Sequence, residues 1–247
     1  MSRKRADVLL VERGLAPSRS RAQALILGGK VYTSSRRIEK AGSLIDPAEE
    51  LHVRGGDLRY VSRGGLKLEG ALDAFAFDPA SLVVADFGAS TGGFTDCVLQ
   101  RDAKKVYAID VGWGQLHNRL RQDSRVVVME RTNARHLEPL PDPVDLVVID
   151  ASFIGLAKLL PAAATVLRPG GSVLAMVKPQ FEVGKGRLGK GGVVRDDALR
   201  TEAIDAVAAS AEGLGFHERG RHDNTVIGPK GNREAFLWLV HSQPTYG

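Results

Sequence analysis

Charged side chains follow directly on several apolar runs of this sequence. Asp86 and Asp110 each end a run that reads as a strand, and Asp150 and Lys178 come just after two later runs. Because the carboxyl ends of parallel strands meet along one edge of a sheet, we expect these side chains to lie together. Carboxylates beside a lysine can orient a hydroxyl or accept its proton. The pattern therefore predicts a chemical site along that edge.

A turn of small residues lies immediately after Asp86. Its members are Gly88, Ala89, Ser90, Thr91 and Gly92. Glycine has no Cβ, so backbone N–H groups at the start of the following helix can approach a ligand closely. Asp110 ends the next strand about twenty residues later, where a carboxylate can accept hydrogen bonds from ribose hydroxyls. This spacing predicts a cofactor that carries a nucleoside.

Other interpretations of the turn compete with this one. Residues 88–92 also spell G-x-S-x-G, the nucleophile elbow of hydrolases, but the histidines show no pairing with an aspartate of the kind that elbow needs. A nicotinamide dinucleotide needs G-x-G-x-x-G, which is not the pattern here. A purely structural turn would not explain the placement of Asp86 and Asp110. S-adenosylmethionine, which has no diphosphate, fits the turn better.

The composition is that of a globular protein. The 247 residues are 43% hydrophobic. The chain contains no apolar run of about 18 residues, the length of a membrane span, and its start lacks the apolar core of a signal peptide. The single cysteine, Cys97, excludes an internal disulfide and a cysteine-based zinc cluster. We therefore expect a cytoplasmic, monomeric protein that does not enter membranes.

The net charge of +5 is concentrated in the first quarter of the chain. Residues 1–60 contain 12 lysines and arginines against 7 acidic residues, whereas residues 61–247 contain 22 of each. The early region reads as two short helices, 7–13 and 19–27, that lead into a small sheet. We therefore expect a small α+β domain over residues 1–60, and the natural partner of such a basic domain is a phosphate backbone.

The second of these helices carries a family pattern. The run SRSRAQALILGGKVY, residues 18–32, resembles the αL RNA-binding motif of a small-subunit ribosomal protein, which is also appended to several RNA-modifying enzymes. The resemblance implies that basic side chains of this helix and the adjoining segments contact structured RNA, whereas a charge run without such a pattern is usually a solvated helix face. The residues assigned to RNA in this way are Arg5, Arg19, Arg21 and Lys30.

Residues 61–247 alternate between apolar runs and helical stretches. This alternation predicts an α/β fold, a doubly wound and mostly parallel sheet that is closed by an antiparallel pair. A helix over 63–75 carries Lys67 in front of the sheet. The expected strands begin near 82 and continue with 105–109, 125–129, 144–149, 172–177, 216–226 and 235–240. The other expected helices are 114–121, 155–167 and 196–214.

This second region also resembles a known family. Residues 60–240 are similar to the FtsJ-like ribose 2'-O-methyltransferases, which have a Rossmann-like class I fold. Their Lys-Asp-Lys-Glu tetrad matches, in order, Lys67, Asp150, Lys178 and Glu234. With the αL domain in front, the arrangement resembles the TlyA family, first named as haemolysins. The motifs that carry the resemblance are SRGGLK (62–67), DFGASTGGFTD (86–96), DVGWGQL (110–116), DASF (150–153), VKPQFE (177–182) and GNRE (231–234).

The resemblance implies methyl transfer from S-adenosylmethionine to a ribose of ribosomal RNA. Cytidines of the small- and large-subunit RNAs are the typical targets in this family. Asp86 opens the cofactor motif, and residues 88–92 are expected to wrap the methionine part of the cofactor. Asp110 is expected to hold the ribose of the cofactor and Asn133 its adenine, although Asn133 also fits a turn.

The tetrad is expected to work around Lys178. Asp150 and Glu234 would hold Lys178 toward the ribose hydroxyl, where it either orients a lone pair or accepts the proton. Lys67 would position the hydroxyl or a nearby phosphate, and in-line geometry would supply much of the rate. We expect no magnesium site among these carboxylates.

Other functions make different demands on the sequence. Base methylation usually needs an Asn/Asp-Pro-Pro-aromatic signature or a strand-end cysteine, and the motif at residues 150–153 offers neither. A non-catalytic RNA-binding factor for ribosome assembly would not need an intact tetrad. A haemolysin would need an apolar or strongly amphipathic span, which the sequence does not contain.

Overall fold

The computed structural model describes residues 3–16, 18–33, 36–53, 59–189, 191–226 and 231–242. The chain divides into two compact units, Met1–Leu58 and Arg59–Gly247. The first unit has one buried apolar cluster, and the second has two.

The first unit packs helices on short strands. Ser18 starts the second helix, because its side-chain oxygen accepts a hydrogen bond from the backbone N–H of Arg21. The apolar faces of the helices pack on Val31, Ile38 and Ile45. The elements are β1 (Lys4–Arg5), α1 (Ala6–Glu12), α2 (Arg19–Leu27), β2 (Val31–Thr33), β3 (Leu44–Ile45) and β4 (Leu51–Val53).

The second unit alternates strands and helices. The strands are β5 (Val83–Phe87), β6 (Lys105–Ile109), β7 (Val126–Met129), β8 (Val144–Ile149), β9 (Leu167–Val177), β10 (Phe216–Asp223) and β11 (Ala235–His241). The helices are α3 (Gly64–Ala74), α4 (Gly93–Gln100), α5 (Asn118–Arg121), α6 (Leu160–Val166), α7 (Pro179–Glu182) and α8 (Asp197–Glu212). Short 3₁₀ turns occupy Ala134–His136, Leu156–Lys158 and Lys185–Arg187.

These strands form a seven-stranded sheet within the described residues, in the order β10-β11-β9-β8-β5-β6-β7. Strands β5 to β9 run parallel, and β11 lies antiparallel between β9 and β10. The central strands are apolar on both faces, as is typical of parallel strands with helices on both sides. Helices α3, α4 and α5 cover one face of the sheet, and α6 and α8 cover the other.

This architecture confirms the expected fold class, and the differences are local. The stretch expected to be helical over 114–121 forms a helix only over Asn118–Arg121, because Asp110 and Glu130 accept hydrogen bonds from the backbone of the preceding residues. The helix expected over 155–167 divides into a 3₁₀ turn and α6, since Pro161 is the second residue of α6 and cannot donate a backbone hydrogen bond. No helix of the described ranges is both long enough and apolar enough to cross a bilayer.

Candidate active site

The four tetrad residues are delivered by four elements to one cavity. Lys67 lies on α3, Asp150 follows β8, Lys178 follows β9, and Glu234 directly precedes β11. All four line a cavity of about 620 Å³. The parallel topology therefore brings together residues that are up to 167 positions apart in the chain, the separation of Lys67 and Glu234.

Lys178 is the most highly coordinated member of this group. Its Nζ lies 2.5 Å from Oδ1 of Asp150 and donates to Oγ of Ser152 at 2.9 Å. The backbone oxygen of Asp150 is a weaker third acceptor at 3.5 Å. The ammonium group thus has an ion-pair partner and two hydrogen-bond acceptors. The third, long contact is the one that an incoming hydroxyl oxygen could replace most easily.

Lys67 and Glu234 form a second ion pair in the same cavity. Nζ of Lys67 donates to Oε2 of Glu234, and both side chains are almost completely buried. Glu234 was expected to hold Lys178, but the structure pairs it with Lys67. The physical reason is that each nearly buried ammonium takes a carboxylate of its own, since an unpaired buried charge is costly.

Glycine is required in the turn at positions 88 and 92 because of the backbone conformation and of neighbouring protein atoms. Gly88 has φ of +87° and Gly92 has φ of +97°, a region that disfavours other residues. A Cβ on Gly92 would lie 2.2 Å from Cδ1 of Leu120, and one on Gly88 would lie 3.0 Å from the backbone oxygen of Asp150. Gly92 therefore faces the protein behind the turn rather than a ligand. Residues of the turn that line the 620 Å³ cavity are Gly88, Ala89, Ser90 and Thr91.

Asp110 fixes the turn and lies beside a second cavity. Its Oδ2 accepts a hydrogen bond from the backbone N–H of Ser90 at 2.8 Å, and its Oδ1 accepts one from Gly112 at 2.7 Å. The first of these bonds ties Asp110 to Ser90, which has a positive φ of 47°. Asp110 also lines a cavity of about 510 Å³. Each carboxylate oxygen keeps a further lone pair, so hydroxyls of a nucleoside ribose can still be accepted there.

Asn133 starts a turn and also lies at the second cavity. Its Oδ1 accepts a hydrogen bond from the backbone N–H of Arg135 at 3.1 Å and so starts a 3₁₀ turn. It also lines the 510 Å³ cavity, together with Val111, Thr132 and Ile154. An apolar slot with a few polar groups at its rim is the usual form of a site for a purine ring.

Asp86 lies beneath the turn rather than in either cavity. Its Oδ2 accepts hydrogen bonds from the backbone N–H and the hydroxyl of Thr95, at 2.9 and 2.7 Å. Its Oδ1 is buried and has no hydrogen-bond partner among the described residues. Burial, with smaller contributions from Asp150 and Asp110, raises the pKa of Asp86 to about 7. A positively charged cofactor in the neighbouring cavities would favour the ionised form of this carboxyl group.

The raised pKa of Asp86 predicts a specific dependence of stability on pH. The folded protein holds the Asp86 proton up to about pH 7, whereas the unfolded chain releases it near pH 3.8. The contribution of Asp86 to the free energy of unfolding is therefore largest below about pH 4. It falls by about 4 kcal/mol in all as the pH rises to about 7. Urea unfolding of wild type and Asp86→Asn between pH 5 and 8 should show the variant gaining stability relative to wild type as pH rises. A difference that stays constant with pH would contradict this account.

Two aromatic residues at the cavity rim were not assigned a role from the sequence. Phe153 is 91% exposed and has a positive φ of 67°, which is unusual for a bulky residue. Its ring centroid lies 5.3 Å from that of Phe181. Ser152, the acceptor for Lys178, was missed as well. The sequence signal for Ser152 and Phe153 was the motif at residues 150–153, in which only Asp150 had been given a function.

The two cavities meet at a shared wall. Gly88, Ser90, Asp150, Ser152 and Phe153 line both of them. One cavity has the carboxylate and the apolar slot that suit an adenosine, and the other has the lysine–carboxylate pairs. Together with the sheet order, this arrangement defines a class I methyltransferase that uses S-adenosylmethionine.

Comparison with known families narrows the class. Residues 60–241 match the FtsJ-like methyltransferase family, and residues 4–51 match the S4 domain. The chain therefore belongs to the FtsJ-like methyltransferase family and carries an S4 domain in front of the methyltransferase region. These matches confirm both resemblances seen in the sequence, and S-adenosylmethionine as the cofactor.

Full-length relatives share both regions. The 16S/23S rRNA (cytidine-2'-O)-methyltransferase TlyA of Mycobacterium tuberculosis is 49% identical over 240 residues, which are 96% of this chain and 90% of the relative. Hemolysin A of Brachyspira hyodysenteriae is 38% identical and covers 96% of this chain and 98% of its own length. A solved structure named as a hemolysin from Streptococcus thermophilus has a TM-score of 0.76 at 42% identity, covering 98% of this chain and 90% of its own.

Proposed function

We propose that this protein transfers a methyl group from S-adenosylmethionine to the 2'-hydroxyl of a ribose in ribosomal RNA, in the cytoplasm. The observation that carries the proposal is that two ion pairs, Lys178 with Asp150 and Lys67 with Glu234, line one cavity, and that Asp150 also lines the adjoining, nucleoside-sized cavity. The relative from Mycobacterium tuberculosis, named for cytidine 2'-O-methylation, supports cytidine as the target nucleoside.

The reaction depends more on alignment of the ribose hydroxyl with the methyl group than on activation of either group. The bound cofactor supplies a methyl group on a sulfonium, which is already a good leaving system. Lys178, held by Asp150 and Ser152, would donate to the ribose oxygen and so orient its lone pair for methyl transfer. The carboxylate of Asp150, or solvent, would take up the hydroxyl proton. Lys67 and Glu234 complete the wall that holds the ribose in place.

Contacts to the cofactor follow the two cavities. Residues Gly88 to Thr91 and Asp110 would hold the methionine part and the ribose of the cofactor, and Asn133 would lie at its adenine. Asp86 and Gly92 would act indirectly, since Asp86 is buried beneath the turn and Gly92 faces Leu120. From behind the turn they set the shape and charge of the site, and they do not contact the cofactor directly.

Residues 1–60 would recognise the RNA, and residues 61–247 would modify it. Arg5 and Arg19 have side chains that are 47% and 58% exposed, and Arg21 is also exposed. Together with the partly buried Lys30 they are proposed to contact phosphates of structured RNA. The match to an S4 domain supports this assignment.

Phe153 would present a stacking surface to the target nucleotide. Replacing it with alanine should lower kcat/KM for RNA by about fivefold or more, because stacking of a base on an aromatic ring contributes about 1–3 kcal/mol. Phe153→Tyr keeps the ring and should retain most of the activity. An alanine variant whose kcat/KM equals that of wild type would remove Phe153 from the RNA site.

The proposal is tested by single-turnover transfer from labelled S-adenosylmethionine to purified ribosomal subunits and to deproteinised ribosomal RNA. Label on RNA is expected with wild type. Tight RNA binding without any transfer to either form would instead favour a non-catalytic assembly factor. Release of dye from liposomes, measured with the same protein, should be absent if the hemolysin name of some relatives describes a different activity.

A further inference from the structure

In the first unit, a completely buried carboxylate lies beneath two of the arginines that were assigned to RNA. Asp7, in the first turn of α1, has no exposed surface. Its oxygens accept hydrogen bonds from Nε and Nη2 of Arg5, at 2.9 and 3.0 Å. Arg5 comes from β1, so a strand residue is tied to the start of the helix through a two-point contact.

The same carboxylate also holds two side chains of α2. Oδ2 of Asp7 accepts from Nη2 of Arg19 at 3.2 Å and from Nε2 of Gln23 at 3.0 Å. Arg19 and Gln23 are four positions apart and so lie on one face of that helix. Three side chains from two elements thus converge on Asp7, while the side chains of Arg5 and Arg19 stay 47% and 58% exposed.

The charges of this cluster do not cancel. The hydrogen bonds from Arg5, Gln23 and Arg19 hold the pKa of the Asp7 carboxyl well below its usual range, although burial opposes them. One carboxylate therefore faces two guanidinium groups, and a positive charge remains at the surface. Each guanidinium has five N–H donors and spends only one or two of them on Asp7, so donors remain for phosphate oxygens.

We propose that Asp7 is a positioning residue for RNA recognition, which fixes Arg5 and Arg19 as a rigid pair of phosphate-binding groups on the first unit. This inference rests on the proposed RNA-binding role of that unit. Long arginine side chains lose conformational entropy when they bind phosphate, and a side chain that is already held loses less. Asp7 thus strengthens RNA binding although its own charge repels RNA.

The direction in which one substitution changes the affinity for RNA distinguishes a positioning role from a simple effect of charge. Asp7→Asn removes a negative charge, so electrostatics alone predicts tighter binding to RNA. Positioning predicts the opposite, because an asparagine cannot accept the two-point contact of Arg5 and also serve Arg19 and Gln23. The expected result is a Kd for deproteinised 16S and 23S ribosomal RNA that is about tenfold weaker at 0.1 M salt. Binding that is unchanged or tighter would overturn the proposal.

A matched control comes from the same unit. Asp46 is exposed, and among the described residues its carboxylate accepts a hydrogen bond only from the nearby backbone N–H of Ala48, so Asp46→Asn makes the same charge change outside the cluster. It should leave the Kd unchanged or slightly tighter. Arg19→Ala tests the proposed function itself. If that variant binds RNA as well as wild type does, the RNA role of this face fails. If it weakens binding while Asp7→Asn does not, only the positioning role fails.

A second measurement does not depend on the folding of a variant. In the wild-type protein the Nε–H of Arg5 should give a resolved NMR resonance that exchanges slowly with water, since it is bonded to a buried carboxylate. A rapidly exchanging Arg5 Nε–H in the folded protein would show that the pair is not held, and would overturn the proposal. In a double-mutant cycle on the RNA Kd, Asp7→Asn and Arg19→Ala should be strongly non-additive.

Discussion

Lys178→Ala is expected to lower the single-turnover rate of methyl transfer by about 10³-fold or more. The alanine removes the group that aligns the ribose oxygen, and alignment together with proton handling accounts for factors of this size. S-adenosylmethionine should still bind with a Kd within about threefold of the wild-type value, because the nucleoside cavity is left intact. Rapid-quench transfer and calorimetric titration of the cofactor measure the two quantities separately.

A surface lysine provides the control for this experiment. Lys158 lies exposed on a 3₁₀ turn of the same unit, and Lys158→Ala should transfer methyl groups at the wild-type rate. A Lys178→Ala variant that keeps a tenth or more of the wild-type rate would show that the chemistry does not centre on this residue. Loss of cofactor binding in parallel would instead place Lys178 in cofactor recognition.

Glu234→Ala is expected to destabilise the protein by about 3 kcal/mol as well as to suppress activity. It leaves the ammonium of Lys67 nearly buried without a counter-charge, and breaking a buried ion pair from one side commonly costs this much. The double variant Lys67→Met, Glu234→Leu should regain most of the lost stability, because apolar residues of similar size need no partner. It should not regain methyl transfer. Urea unfolding and single-turnover assays on the same samples provide the comparison.

Two results would contradict this view of the second ion pair. If Glu234→Ala unfolds at the wild-type urea concentration, then Lys67 finds another partner or water, and the pair does not stabilise the fold. If the double variant transfers methyl groups at the wild-type rate, then the pair serves only the structure. The pairing of Lys67 with Glu234 would then have no part in the chemistry.

Most of the architecture could be predicted from the sequence, because the relevant signals are local. Apolar runs that end in Asp86 and Asp110 predicted parallel strands with polar groups at their carboxyl ends, and the structure places β5 and β6 accordingly. Since each run is apolar on both faces, the covering helices could be expected too. Local patterns indicated a closing antiparallel pair of strands. They did not indicate that β11 lies between β9 and β10 in the sheet.

Side-chain pairing could not be predicted in the same way. Topology brings Lys67, Lys178 and their two carboxylates to one cavity, but which lysine meets which carboxylate depends on side-chain directions and on burial. The same holds for Gly92, whose neighbour Leu120 comes from a helix 28 positions later. The sequence pattern placed Asp7 in a short helix without giving it a role, because a contact with Arg19 across two helices leaves no trace in either helix alone.

The most direct test of the central claim is the chemical position of the transferred methyl group. Ribosomal RNA methylated by the wild-type protein with labelled S-adenosylmethionine would be hydrolysed in alkali, and the products analysed as nucleosides by mass spectrometry. A 2'-O-methyl group blocks alkaline cleavage of its own phosphodiester, so the label is expected in alkali-resistant dinucleotides that yield 2'-O-methylcytidine. Label in mononucleotides that carry a methylated base would contradict the account, because the two lysine–carboxylate pairs would then serve a different reaction.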